Sequence, residues 1–153
     1  MKNRVITLKE EIERIILKCE VCNLAMVDSN NTPYVIPMNF GYEKDTIYLH
    51  SGQTGKKIDI LKKNPKVAVS FSTDHELRWQ SEKVACSYSM KYKSVLASGH
   101  VEFVEEREEK IAALNVIMKN YTDREYAYGE PSLIEVLVFK VVVDKLEGRA
   151  YGY

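Results

Sequence analysis

The N-terminal segment has apolar residues at helical spacing. We predict a helix over residues 8–19, whose apolar face consists of Leu8, Ile12, Ile15 and Ile16. Thr7 and Glu10 have the spacing of a capping box, in which each side chain accepts a hydrogen bond from a free backbone N–H at the start of a helix. The pattern therefore predicts an amphipathic helix that precedes the rest of the fold.

Two further helices follow from the same kind of pattern. The segment Lys56–Lys63 is predicted to be a short helix that ends at Asn64-Pro65, because a residue before proline avoids helical geometry. The segment Arg107–Lys119 is predicted to be amphipathic, with an inward face formed by Ile111, Leu114, Ile117 and Met118.

Most of the remaining chain has the pattern of β-strands, with β-branched residues and turn residues between apolar runs. The polar segment 73–83 and the segment 120–132 are predicted to be irregular, and Gly99 is predicted to mark a bulge. This many strands with few helices favours a mainly β fold with flanking helices, a closed or partly closed barrel. We predict one domain over residues 1–153, with the barrel over about residues 21–146. The predicted strands are 22–28, 34–42, 46–51, 66–72, 94–106 and 134–148.

Charge and composition exclude several classes of protein. Lysine plus arginine (22) equals aspartate plus glutamate (22), so the chain lacks the basic excess of a nucleic-acid-binding protein. No apolar run approaches the ~20 residues that a membrane helix needs, and the charged N-terminus lacks the core of a signal peptide. We therefore expect a cytoplasmic protein that binds neither nucleic acid nor membrane.

The cysteines do not form a recognisable metal or disulfide motif. Cys19 and Cys22 make a lone C-x-x-C after the end of a helix, where the helix dipole does not favour a thiolate, and Cys86 stands alone. We expect all three to be reduced, small, buried hydrophobic residues and expect no metal site. His75-Glu76 does not begin a zinc protease motif, because position 79 is Trp.

The stretch "HSGQTGKK" joins a predicted strand to a predicted helix and has the features of a phosphate site. Only two residues separate Gly52 from Gly55, where a nucleotide-binding P-loop has four, so the stretch is not a P-loop. Even so, exposed backbone amides, the hydroxyl of Ser51 and the start of a helix at Lys56 and Lys57 would suit a terminal phosphate dianion. The alternative is a solvated lysine pair in a surface turn.

Two neighbouring features have both a structural and a functional interpretation. His50 lies directly before this turn and would point near the ligand, although a histidine at a strand end is more often structural. Pro37 cannot donate a hydrogen bond to a neighbouring strand, which predicts an edge strand or a bulge. The functional alternative is that Met38, Asn39 and Phe40 line one side of a flat, mostly apolar cavity.

Taken in order, three segments resemble the flavin-binding split β-barrel superfamily that includes pyridoxamine 5′-phosphate oxidase. The strongest likeness is to the 5-nitroimidazole-resistance family, and it extends from about Cys22 to Phe103. The resemblance implies a split barrel that binds FMN, as a homodimer with the flavin at the interface. The segments are "TPYVIPMNFGY", "IYLHSGQTGKKIDILKKNPKVAVSF" and "CSYSMKYKSVLASGHVEF".

The resemblance also implies roles for individual residues. His50 would take part in the reductive chemistry near the flavin ring, and Lys56 and Lys57 would hold the phosphate of FMN. The full set of residues implied at the cofactor is Pro37, Met38, Asn39, His50, Ser51, Lys56, Lys57 and Ser94.

The resemblance implies an oxidoreductase in which NAD(P)H or another donor reduces the flavin and a small acceptor, such as a nitro compound, is reduced in turn. Two alternatives stay open. One is a protein that binds FMN, FAD or haem without turnover. The other is pyridoxamine 5′-phosphate oxidase itself, which the C-terminal segment disfavours because Arg149 is its only candidate for binding a substrate phosphate.

Overall fold

The computed structural model describes residues 2–153, which form eight strands and four α-helices. The helices are α1 (Lys9–Lys18), α2 (Lys56–Lys63), α3 (Arg107–Lys119) and α4 (Glu130–Glu135), with a short 3-10 turn at Ala85–Ser87. None of the helices in this part of the chain is long and apolar enough to cross a bilayer. The strands are β1 (Asn3–Ile6), β2 (Cys22–Val27), β3 (Pro33–Met38), β4 (Gly41–Glu43), β5 (Thr46–Gly52), β6 (Lys66–Arg78), β7 (Ser89–Val104) and β8 (Val136–Tyr151).

The strands form one antiparallel sheet that curls around a single main core. The strand order is β3-β2-β6-β7-β8-β5-β4, and β1 adds to β8. The barrel is split between β3 and β5, where Lys56 of α2 lies over the ring of Tyr34, 4.7 Å from its centroid. The predicted mainly β split barrel with flanking helices is confirmed. The core includes Ile16, Leu24, Leu49, Phe71, Val95 and Phe139.

The predicted helices agree closely with the structure, but the predicted cap does not. The bounds of α2 and α3 match the prediction, and α1 starts and ends one residue inside it. The capping box is wrong: Leu8 occupies the cap position and makes no side-chain hydrogen bond, so Thr7 lies outside the cap. An ion pair of 2.7 Å between Arg4 and Glu11 joins β1 to α1 instead.

The inward face predicted for α3 is only partly correct. Ile117 is buried, as predicted, and Ala113 is buried beside it. The other three predicted residues are half-buried, because α3 lies on the outside of the sheet and does not enter the barrel. These residues are Ile111, Leu114 and Met118.

The segment 73–83, predicted to be irregular, belongs in part to a long hairpin. Strand β6 continues to Arg78 and pairs there with Ser89, with a bulge between Thr73 and Glu76. We call residues 73–93 the arm. The strands of the arm extend beyond the core, so neither of their faces is buried against it. Because no face has to be apolar, the alternation of apolar and polar residues that is typical of a strand is absent. The prediction missed the first half of this hairpin for that reason.

Other boundaries also differ from the prediction, and β8 extends over Val136–Tyr151 where residues 134–148 were predicted. Strand β1 has only four residues, which is too few to give a strand pattern. Residues 130–135 form α4, whose first turn contains Pro131, a residue suited to that position. The predicted strand 34–42 is interrupted at Phe40, whose backbone N–H donates to the hydroxyl of Tyr121 over 3.0 Å and whose carbonyl accepts from Asn120 over 3.2 Å.

The predicted bulge at Gly99 is confirmed, and it gives a stability prediction. The β7–β8 register shifts between Ser98 and Gly99, and a Cβ atom at Gly99 would lie 2.1 Å from the carbonyl oxygen of Val142. We expect Gly99→Ala to lower the free energy of unfolding by roughly 1–3 kcal/mol in urea denaturation, because the backbone of β8 must move. Gly52→Ala is the control, since a Cβ there meets no atom within 4 Å. Equal losses in the two variants would contradict this account of the bulge.

Candidate functional site

The predicted phosphate turn joins β5 to α2 and ends in an uncapped helix start. Gly55 has φ of 132°, a conformation that favours glycine, and its carbonyl accepts from the N–H groups of Ile58 (3.0 Å) and Asp59 (3.1 Å). No side chain of the described residues caps α2. Within residues 2–153, the N–H groups of Lys56 and Lys57 have no acceptor, so they are available to an anion.

Contacts on two sides hold the turn in place. The side-chain amide of Gln53 donates to the carbonyl oxygen of Ile134 in α4 over 2.9 Å. On the other side, the ammonium group of Lys56 lies over Tyr34 at the start of β3. Ser51 donates its hydroxyl to the carbonyl of Gly52 over 3.0 Å. The turn is therefore positioned at the opening between β3 and β5.

The three predicted residues around the end of β3 do not share one face. Met38 is half-buried and packs against the core, together with Tyr34 and Ile36. Pro37 and Asn39 alternate with these residues and are exposed on the outer face of the sheet. Pro37 lies on an edge strand, as its missing N–H predicts, because within residues 2–153 β3 pairs only with β2.

His50 lies on the outer face of β5, opposite Val138 of β8. Its neighbours on that face include Tyr48 and Val138, which pack against α3. The ring is exposed to solvent, but the atoms packed around it remove part of its hydration, which lowers the pKa of His50 from its usual value. Among residues 2–153, His50 has no hydrogen-bond partner, so its ring nitrogens are free to contact a ligand.

Ser94 lies on a different wall of the barrel. It pairs with Ser72 of β6 and Arg149 of β8 and faces outward, since its neighbour Val95 is in the core. Strand β7 is two strands from β5, but the β7 residue level with His50 is Val104, since both pair with Val138. Ser94 is ten residues from Val104 along β7 (104 − 94), which places it roughly 30 Å from the level of His50. Within a single chain, His50, Ser51, Lys56 and Lys57 therefore lie close along one strand, turn and helix, whereas Ser94 is distant from them.

Tyr34 lies at this site but was not predicted to do so. Its ring meets Lys56 across the split in the barrel, between segments that are far apart in the sequence. One signal in the sequence could have indicated it: Tyr34 belongs to "TPYVIPMNFGY", one of the three segments that carry the family resemblance. The prediction of buried cysteines is confirmed for Cys19 and Cys22, and burial raises the pKa of Cys22 to about 12. It is wrong for Cys86, which is exposed.

Comparison with known proteins places the chain in a family. The family model for pyridoxamine 5′-phosphate oxidase matches residues 9–150. The chain belongs to the pyridoxamine 5′-phosphate oxidase family. Within this family it is 46% identical to a Bacteroides thetaiotaomicron protein provisionally named a 5-nitroimidazole antibiotic resistance protein. That alignment covers 97% of this chain and 87% of the other, with a TM-score of 0.88.

More distant structures share the fold of this family member. A FAD-binding protein from Mesorhizobium loti is 21% identical, with 99% of this chain and 100% of that chain covered and a TM-score of 0.72. A FAD- and haem-binding protein from Mycobacterium smegmatis is 18% identical, with 100% and 75% covered and a TM-score of 0.83. No curated protein matches the sequence. These two structures show similarity of fold alone, and that fold is the split barrel described above.

Proposed function

We propose that the protein is an FMN-dependent oxidoreductase of the 5-nitroimidazole reductase type. The observation that carries this proposal is the uncapped start of α2, where the backbone N–H groups of Lys56 and Lys57 directly after Gly55 are free and both residues carry a positive charge. The relative from Bacteroides thetaiotaomicron, at 46% identity, supports the nitroimidazole assignment.

The donor set of the turn fits the phosphate of FMN. A single phosphate dianion needs hydrogen-bond donors and positive charge, and the start of α2 supplies both. A polyphosphate would require a magnesium ion and its carboxylate ligands. The turn therefore suits FMN better than a nucleoside triphosphate.

The rest of the flavin would lie along the split in the barrel. From the phosphate turn, the split continues between β5 and the free edge of β3, where backbone groups are not used by a neighbouring strand. Pro37 and Asn39 are exposed there and would contact the ribityl chain or the ring, while the side chain of Met38 would stay in the core. When bound, FMN supplies the two-electron chemistry of the reaction.

His50 is the proposed proton donor. Reduction of a nitro group to a nitroso group takes two electrons and two protons and releases water, so the acceptor needs a nearby acid. The ring of His50 has free nitrogens and lies two residues before the end of β5, close to the phosphate turn. Its lowered pKa makes its protonated form a stronger acid than an ordinary imidazolium.

The site would be completed by a second copy of the chain. Ser94 is too far from the phosphate turn to contact the same flavin, unless a partner molecule brings its own Ser94 there. The outer face of β3, β2 and β7 also exposes apolar side chains, namely Val27, Val35 and Leu96. A two-fold homodimer through this face would bury them and form two equivalent flavin sites. The expected cytoplasmic location is part of the same proposal.

The dimer gives a testable prediction. Leu96 is 42% exposed in the single chain, and we expect Leu96→Lys to shift the protein to a monomer in analytical ultracentrifugation and to reduce its FMN content. Leu17→Lys is the control, because Leu17 is exposed on α1 away from this face. A Leu96→Lys variant that stays a dimer with full FMN content would contradict the proposed interface.

Anaerobic stopped-flow mixing tests the proposed reaction. We expect NAD(P)H to bleach the flavin absorbance of the purified protein and a 5-nitroimidazole to restore it. A passive flavin- or haem-binding protein would show neither change at a useful rate. Formation of pyridoxal 5′-phosphate from pyridoxamine 5′-phosphate, measured in the same preparation, would favour the alternative oxidase activity.

A further inference from the structure

A hollow of about 560 Å³ lies beside the arm, remote from the phosphate turn. Its aromatic lining comes from Trp79, Tyr88 and Tyr151, and its polar lining includes Arg78, Gln80 and Ser87. We call it the arm hollow. Its volume lies within the range of about 300–1,000 Å³ that is typical of small-molecule sites.

The aromatic rings around the arm hollow are stacked in two groups. Trp79 and Tyr88 form one group, with ring centroids 5.6 Å apart and planes inclined by 17°. In the other group, Tyr151 stacks on Tyr92 at 5.8 Å, and Tyr92 stacks on His75 at 6.5 Å. Both groups border the hollow: the first contributes Trp79 and Tyr88 to its lining, and the second contributes Tyr151. A planar ring in the hollow could therefore stack on aromatic side chains from either group.

The end of the arm is held rigidly by its own hydrogen bonds. The hydroxyl of Ser87 lies 2.8 Å from the carbonyl oxygen of Ser81 and 2.7 Å from that of Val84, and it accepts from the N–H of Ser81 over 3.2 Å. Tyr88 donates its hydroxyl to the carbonyl of Glu82 over 3.2 Å. Trp79 and Tyr88 nevertheless remain 47% and 39% exposed. The rings are thus preorganised for a ligand and incompletely used in packing.

Arg78 adds a positive charge to the lining of the arm hollow. Its Nε lies 3.4 Å from Glu76, which is a weak contact between two exposed groups. Its terminal nitrogens have no acceptor among residues 2–153. A guanidinium group with free terminal N–H groups can bind a carboxylate or a nitro group through both of its oxygens. The hollow therefore combines stacking surfaces with a donor for a planar, oxygen-bearing substituent.

The arm hollow is also close to Ser94. Tyr92 pairs with Tyr151 and Ser94 pairs with Arg149, so Tyr151 and Ser94 are diagonal neighbours in the sheet. Such neighbours lie about 7–8 Å apart. If Ser94 contacts the flavin of a partner molecule, a ring bound in the arm hollow lies beside that flavin.

We propose that the arm hollow binds a planar aromatic compound with a nitro or carboxylate substituent, and that this is the site through which the acceptor reaches the flavin. The second half of this proposal rests on the proposed function. The competing explanation is that the stacked rings only join the strands of the arm, as cross-strand aromatic pairs do in many sheets.

Calorimetric titration of the purified protein with 4-nitrobenzoate tests the binding. We expect Trp79→Ala to weaken binding about tenfold, as loss of a stacking partner does. Trp79→Phe, which keeps an aromatic ring, should weaken it less, and Arg78→Ala should weaken it without changing the fold. Tyr126→Ala is the control, since Tyr126 is exposed outside the arm. Because the chain has 1 tryptophan, a shortened fluorescence lifetime of Trp79 on titration would locate the compound directly.

The outcomes separate this proposal from the proposed function. No heat with the native protein, or equal dissociation constants for native protein and Trp79→Ala, would overturn the arm hollow even if the protein is an active flavoenzyme. If 4-nitrobenzoate binding depends on Trp79 but the protein does not bind FMN, the arm hollow is supported and the proposed function is overturned. We expect Trp79→Ala to retain FMN, because Trp79 lies outside the proposed cofactor contacts.

Discussion

Replacement of both Lys56 and Lys57 by glutamate is expected to abolish stable FMN binding. The double variant places two negative charges at the start of α2, where the proposed phosphate dianion accepts hydrogen bonds from free backbone N–H groups. Hydrogen bonds to charged groups contribute about 1.5–3 kcal/mol each. Removal of the two lysine side chains as donors to the phosphate therefore corresponds to roughly 100-fold or more in the dissociation constant. Quenching of FMN fluorescence on binding to the apoprotein measures this constant.

The same helix provides a matched control. Lys62 and Lys63 lie in the last turn of α2 and are exposed, so Lys62→Glu with Lys63→Glu makes the same change of net charge at the opposite end of the helix. We expect this control to keep nearly native FMN affinity. If both double variants weaken FMN equally, long-range charge explains the effect and the start of α2 is not the phosphate site.

Replacement of His50 by alanine is expected to lower turnover about 100- to 10,000-fold while FMN stays bound. The variant removes the proposed proton donor without touching the phosphate turn. The pH dependence follows from the lowered pKa of His50: the donating, protonated form increases as the pH falls from neutral through a pKa below 6.5. Native turnover should therefore rise over that range, and the His50→Ala variant should lose this rise.

His100→Ala is the control for this prediction. His100 lies on β7, 3.4 Å from Glu102, and has no proposed part in the reaction. Its replacement should leave both the turnover and its pH dependence unchanged. A His50→Ala variant with native turnover would eliminate His50 as the proton donor, whatever the cofactor content.

The helices and the bulge could be predicted because their signals are local. The bounds of α2 follow from its apolar spacing and from Asn64-Pro65, and Gly99 interrupts an otherwise regular strand. The arm could not be predicted in the same way, because strands that extend beyond the core have no buried face to impose alternation. The β3–β4 break depends on Tyr121 and Asn120, which are distant in the sequence.

The candidate site was predictable where its residues are contiguous. His50, Ser51, Lys56 and Lys57 lie within one strand, turn and helix, so the sequence alone brings them together. The contact between Tyr34 and Lys56 depends on how the barrel closes, which no local pattern records. The inward orientation of Met38 could have been read from the alternation along β3, whereas the place of Ser94 in the site depends on a second molecule.

The absorption spectrum of freshly purified protein decides whether the chain binds a flavin. We expect a yellow protein with a flavin maximum at ~450 nm, from which acid precipitation releases FMN. A Soret band would identify haem in place of flavin. A colourless protein that does not take up added FMN would contradict the claim that the turn between β5 and α2 holds the phosphate of this cofactor.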